Sequence, residues 1–144
     1  MLHTETLVEA LGGRKVFKRR IANVDELREA VKAGLPYASL EAFIHKFGLA
    51  REEAAAALHL PQRTIARRKK EQKLQAEKSD RLLRLARVSA HAAIALGSEE
   101  RAAQWLRRAN RALGNHAPLD LIDSDIGIRQ VEEVLGRIEH GNIS

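Results

Sequence analysis

The chain has 144 residues, 44% of them hydrophobic and 3% aromatic, with a formal net charge of +6 and no cysteine. That length and apolar share supply one ordinary domain or two small ones with a real core, and an apolar set dominated by Ala, Leu, Ile and Val favours packed helices over aromatic-rich sheets. The absence of cysteine excludes disulfides, thiolate nucleophiles and cysteine metal sites, no apolar run approaches the roughly 18 residues of a spanning helix, and the N-terminal stretch lacks a basic region followed by a hydrophobic one. An all-α, cytoplasmic protein without a membrane partner is expected.

In chain order, ETLVEAL is a short helical pattern stopped at Gly12-Gly13, because glycine takes left-handed angles at little steric cost. A basic link, RKVFKRRI, follows. Asn23 and Glu26 then stand as a capping box for DELREAVKA, which ends at Gly34. Ser39 is the expected N-cap of LEAFIHKF, whose Leu40, Phe43, Ile44 and Phe47 recur at helical spacing before Gly48. A further helix is expected from Arg51 to Leu58, and Pro61 suits the first turn of the next, where its missing N–H has no partner to lose.

Ser79 is the expected cap of a longer helix ending at Gly97, with Leu82, Leu85, Ala86, Ala92, Ala93 and Leu96 on one stripe. Ser98 opens another helix expected to reach Leu113, with Ala102, Trp105, Leu106, Ala109 and Leu113 inward. Pro118 begins a short turn, and Ser124 caps a last helix on which Ile128, Val131, Leu135 and Ile138 align.

Charge divides the chain. Residues 1–78 hold 16 basic and 10 acidic residues, whereas residues 79–144 hold 9 of each, so all the net charge lies in the first part. Residues 120–144 are themselves net −4. This asymmetry suggests a front that binds a polyanion and a far end whose partner is basic.

The stretch PQRTIARRKKEQK carries six Lys or Arg residues against Glu71 alone. With the segment before it, it fits a helix-turn-helix: Ala54, Ala55 and Leu58 form the crossing and core of the first helix, Leu60 follows the turn, and Ile65 anchors the recognition helix. His59 stands where glycine is usual, a position histidine tolerates because it visits the left-handed region more readily than most residues. The outward face then carries Gln62, Arg63, Thr64 and Arg67. Gln62, Arg63 and Arg67 are the candidates for base edges, since Arg pairs bidentately with guanine and Gln with adenine. Thr64, Arg68, Lys69, Lys70 and Lys73 are better placed for phosphates. Aromatic residues are too few for a single-strand stacking platform, so duplex DNA is the expected nucleic acid.

Beyond these local patterns, RTIARRK, SDRLLRLARV, WLRRANRALGNHAPLDLI and DSDIGIRQVEEVLGRIEHG, in this order and spacing, resemble the MbcA/ParS/Xre-type antitoxins that pair with RES-domain toxins in type II toxin-antitoxin systems. Pro61 departs from the serine-like cap that commonly precedes the Arg-Thr pair. The resemblance implies an N-terminal Xre/Cro-like DNA-binding domain over residues 1–78 and a helical toxin-binding domain over 79–144. It further implies a homodimer inside a hetero-oligomeric complex, binding to operator DNA as an autoregulatory repressor, and silencing of an NAD-degrading toxin. Arg63, Thr64 and Arg67 carry over as DNA-side residues. The chain end carries over as the segment at the toxin's active-site entrance: Arg137, Ile138, Glu139, His140, Gly141, Asn142, Ile143 and Ser144. An acidic end complements a basic cleft shaped for a dinucleotide, with Glu139 and the terminal carboxylate as the candidate plug.

Other constellations read more plainly. Trp105, at helical spacing with Ala102, Leu106 and Ala109, is core before it is an interface anchor. The six histidines show no ligand spacing, so no metal or cofactor is expected. Asp123 and Asp125 flank a helix start without any nucleophile or base, so no catalytic residue is expected. Two other readings of the chain are a stand-alone helix-turn-helix regulator whose second half dimerises or binds a small ligand, and an adaptor whose basic helix meets an acidic protein.

Overall fold

A computed structural model describes residues 3–61, 63 and 72–141. Its helices are α1 (Thr4–Ala10), α2 (Gly13–Phe17), α3 (Val24–Ala33), α4 (Tyr37–Phe47), α5 (Arg51–Ala57), α6 (Ala76–Leu96), α7 (Glu99–Arg107) and α8 (Asp125–Glu139), with 3-10 turns at Arg111–Leu113 and Pro118–Asp120. Among the described residues there is no strand, and extended pairing is confined to isolated bridges at Pro36 with Lys73 and Asn110 with His116. No described helix is long and apolar enough to cross a membrane.

The longest helix, α6, is the spine. Its Leu82, Leu85, Ala86, Val88 and Ala92 are fully buried. It packs against α1, α3, α4, α7 and α8 within one continuous apolar cluster. The boundary expected after residue 78 falls inside its first turns. Burial of each such Leu contributes on the order of 2 kcal/mol, so this shared helix, rather than any surface contact, holds the two ends of the chain together.

Several expected caps are present. The Asn23 side chain accepts from the Glu26 N–H at 2.9 Å, while the Glu26 carboxylate accepts from Ala22. Ser98 and Ser124 accept from the N–H groups of Arg101 and Gly127. The Leu40, Phe43 and Phe47 face is buried, and Trp105 packs half-buried against the core.

Four expectations are corrected. The basic link is partly helical, because α2 occupies Gly13–Phe17. Ser39 does not cap α4: the helix opens at Tyr37 after extended Pro36, and Ser39 is buried in its first turn. The helix expected to reach Leu113 stops at Arg107, where Arg108 turns extended; Asn110 then starts a 3-10 turn by accepting from the Ala112 N–H, leaving Ala109 exposed. Ser79, finally, is not the cap of α6. Nothing in Ala76, Glu77 or Lys78 resists helix, so α6 begins four residues earlier, with Gln75 at its N-cap.

Placed inside the helix, the Ser79 hydroxyl serves a different purpose. It accepts the Leu35 N–H at 2.7 Å in a fully buried setting, while the Leu35 carbonyl accepts from the Leu74 N–H at 2.8 Å. Tyr37 N–H adds a bond to the Gln72 carbonyl at 3.0 Å. This clamp ties the α3–α4 turn to the chain entering α6. Gly34 permits it: its φ is +102°, and a Cβ there would lie 2.4 Å from the Leu74 carbonyl oxygen. Ser79→Ala strands a buried amide and should cost about 1–3 kcal/mol, read as a lower urea midpoint with an unchanged slope.

Candidate nucleic-acid and partner interfaces

Helix α5 ends in a turn that fits the helix-turn-helix expectation. Ala54, Ala55 and Leu58 are buried, as is Leu60 beyond the turn. The Leu60 N–H bonds to the Ala55 carbonyl at 2.8 Å and the His59 N–H to the Ala56 carbonyl at 3.1 Å, the paired bonds of a Schellman stop. His59 adopts φ +55°, as its place in the turn requires. Its carbonyl accepts from Lys78 Nζ at 3.1 Å, so the turn is also held from α6.

Of the expected DNA-side residues, Arg63 is helical and exposed, and Lys73 is exposed beside Pro36 where the chain returns to the clamp. Gln62, Thr64, Arg67, Arg68, Lys69 and Lys70, with the anchor Ile65, lie outside the described residues. What the structure establishes is how the ends of the basic stretch are held. One end leaves from the His59–Leu60 turn, and the other returns through backbone bonds at Gln72 and Leu74.

A second feature joins this turn to the later helices. Glu53 on α5 receives Arg107 of α7 in a two-point pair, Nε to Oε2 at 2.9 Å and Nη2 to Oε1 at 3.1 Å, and also accepts the Ala50 N–H at 2.8 Å. The Arg107 bonds and the Ala50 N–H hold the Glu53 carboxyl below its usual range, against the opposing effect of burial. Close by, His59 Nε2 lies 3.7 Å from Asp123 Oδ2. These groups and Asp120 line a cleft of about 320 Å³ floored by Ala56, Ala57 and Leu119. Sequence reading had no access to this junction, because Glu53 and Arg107 are 54 positions apart and each is unremarkable on its own helix.

Further on, α8 lies against α6 with its apolar face inward: Ile128, Val131 and Leu135 are fully buried. Gly127 fits tightly against the preceding turn, where a Cβ would lie 1.9 Å from the Leu121 carbonyl oxygen. Two polar contacts flank the seam. Arg87 meets Glu132 at 3.2 and 3.3 Å, and His91 Nε2 meets Glu139 Oε1 at 3.0 Å. The His91 bond, with the charges of His91 and His140, holds Glu139 below the ordinary glutamate range.

Among the expected partner-side residues, Arg137, Glu139, His140 and Gly141 are exposed and Ile138 is half-buried against the core. Asn142, Ile143 and Ser144 lie outside the described residues. Ile126 is 74% exposed, a residue the sequence reading passed over. Its signal was present: with Ile128, Val131 and Leu135 facing inward, a residue two places before Ile128 points away from the core. Among the described residues no group of three or more His, Asp or Glu side chains is placed to hold a metal ion.

The described residues thus give the first helix and turn expected of a helix-turn-helix, and a second helical region on the same core. Comparison with known sequences agrees in both parts. Residues 26–87 match the antitoxin Xre-like helix-turn-helix domain, and residues 91–141 match the antitoxin Xre/MbcA/ParS C-terminal toxin-binding domain. Three relatives bear the name Antitoxin Xre. That of Photorhabdus laumondii is 40% identical over 73 residues, covering 50% of this chain and 49% of its own. The Yersinia enterocolitica protein is 26% identical over 120 residues, or 82% and 81% of the two chains, and the Pseudomonas putida protein 32% identical over 83 residues, or 57% and 52%. The matched parts thus span about half the length of two of these relatives. The two matches together cover most of the chain and place it in the Xre/MbcA/ParS antitoxin family.

The Glu53 and Arg107 pair makes a pH prediction. A carboxylate whose folded pKa lies below its ordinary 4.5 adds stability that is complete above that value and is lost as pH falls through the folded pKa. Glu53→Gln should therefore lower stability near neutrality by about 1 kcal/mol, given the partial exposure of the pair, and flatten the acid limb of the thermal midpoint against pH.

Proposed function

We propose that the chain neutralises a RES-domain, NAD-degrading toxin by covering its active-site entrance, and that it represses its own operator as a homodimer in the cytoplasm. Residues 1–78 serve the DNA side and residues 79–144 the toxin side. The observation that carries this reading is the order of two functional segments on one chain. The segment matching the helix-turn-helix domain contains the basic stretch, and the segment matching the toxin-binding domain contains all the charged residues of the 120–144 end, which is net −4.

On the DNA side, Arg63 leads the recognition segment directly after a turn fixed by two backbone bonds, so its guanidinium is presented from a rigid base. A base contact of this kind discriminates among sequences, whereas the later cations grip phosphates alike on any duplex. Two half-sites about one helical turn apart, or a multiple of that, suit a two-fold dimer.

On the toxin side, α8 carries an apolar face that is already committed to α6. Arg137, Glu139 and His140 are presented to solvent at its end, and Glu139 is steadied by His91. Ile138, Gly141, Asn142, Ile143 and Ser144 complete the proposed plug. The Glu139 carboxylate then competes for the cleft where the toxin holds the phosphates of its dinucleotide.

Arg63→Ala should abolish preference for the operator over random DNA while toxin neutralisation survives, and Lys69→Ala should weaken both duplexes equally and reduce the salt slope by about 1. Competition gel shifts at stated salt check this, and equal losses on both duplexes for Arg63→Ala would remove it as a base reader. Deleting Gly141 to Ser144 should release toxin activity, followed as NAD consumption after co-expression with the product of the adjoining gene. Unchanged inhibition and complex affinity would show that the tail is not the plug.

A further inference from the structure

The densest positive charge among the described residues lies before the helix-turn-helix, in a segment that neither family match reaches. Arg14, Lys15, Lys18, Arg19 and Arg20 are five cations within seven residues, and no acid occurs between Glu9 and Asp25. All five side chains are exposed. Glu5 and Glu9 line a shallow groove with Arg14, Arg19 and Arg20, yet none of the five cations comes within ion-pair distance of a described acid.

The fold holds these cations outward. Phe17 packs against the core, Val16 is half-buried, and Ile21 is buried, so the apolar residues of the segment turn inward while the charged ones face solvent. Lys18 ends α2 in the left-handed region at φ +60°, its N–H bonded to the Arg14 carbonyl at 2.7 Å. A backbone pinned on both sides of a cluster of like charges keeps those charges together despite their repulsion, which an anionic partner relieves.

We infer that residues 14–20 form a second phosphate-binding surface, which grips the duplex backbone beside the segment read by the recognition helix. This inference rests on the DNA-binding reading above. The placement supports it: α3 runs from this patch to the Gly34–Leu74 clamp, and its ten residues span about 15 Å. That length is less than a single turn of duplex, about 34 Å, so one DNA segment is long enough to meet both the patch and the point near Lys73 where the chain leaves the basic stretch. The inward turn of Val16 and Phe17 leaves the patch without the apolar face by which an amphipathic segment enters a lipid surface. The occupant is therefore a phosphate backbone with no demand on sequence.

The test is the triple variant Lys15→Gln, Arg19→Gln, Arg20→Gln, which removes three exposed charges and leaves Lys18 in its turn. Binding is measured against salt on the protected segment of the chain's own upstream DNA, with and without about one helical turn, roughly 10 bp, of added flank on each side. Wild type should bind the flanked duplex more tightly. The variant should lose that advantage, keep its preference for the protected sequence, and show a log–log salt slope shallower by about 2–3. An unchanged slope and flank advantage in the variant overturn the second surface while leaving the helix-turn-helix intact. Failure of wild type to bind upstream DNA at any length overturns the DNA-binding reading itself. If the variant keeps its DNA slope but loses binding to phosphatidylserine vesicles, the patch belongs to a lipid surface and the inference fails.

Discussion

The peptide unit of Leu35 is the point on which the arrangement of the front of the molecule turns. Its N–H is taken by the buried Ser79 hydroxyl and its carbonyl by the Leu74 N–H, with the Leu35 side chain fully buried between them. A buried amide left without a partner costs on the order of 1–3 kcal/mol, so both bonds constrain the path of the chain. Because Ser79 lies inside α6, the contact fixes where the spine begins relative to the α3–α4 turn. It also sets where the chain returns from the basic stretch.

The described chain on either side of the basic stretch is held by backbone bonds. At its start, the His59–Leu60 turn ends α5 with a Schellman pair of bonds; at its return, Gln72 and Leu74 pair with the backbone of Tyr37 and Leu35. The turn is connected onward to the second region by Glu53 with Arg107 and by His59 near Asp123. Such partly exposed pairs are each worth about 1 kcal/mol or less, far below the burial of the α6 leucines. Their contribution is therefore to orientation: apolar packing holds the helices together, and the polar pairs specify how α5 and α7 face one another.

The same division of labour recurs at the far end. The apolar stripe of α8 is buried on α6, and the Arg87–Glu132 and His91–Glu139 contacts mark its flank. The close approach of Gly127 to the Leu121 carbonyl brings the preceding turn onto the start of α8. With its inner face committed, α8 leaves Ile126, Arg137 and Glu139 exposed without unpacking the core.

Much of this was legible in the sequence. Helical periodicity identified the buried faces of α4, α6 and α8, and the Asn23, Ser98 and Ser124 caps followed from side chains that accept from a local N–H. The helix-turn-helix frame was legible for the same reason: small residues at a crossing and a residue tolerant of positive φ at the turn are local requirements, and His59 meets the latter. What failed were the helical part of the basic link, the C-terminal extent of α7 and the capping roles of two serines. Ser39 and Ser79 resemble caps by composition, but a hydroxyl bonds whichever donor the fold brings to it, and for Ser79 that donor is 44 residues away. The sequence by itself thus determined most of the helices, their inward faces and the separation of charge along the chain, because these depend on neighbours within a few residues. Only the tertiary structure decided the clamp at Leu35, the Glu53–Arg107 junction and the outward display of the 14–20 cations. Those depend on which distant backbone groups and charges burial brings within bonding distance.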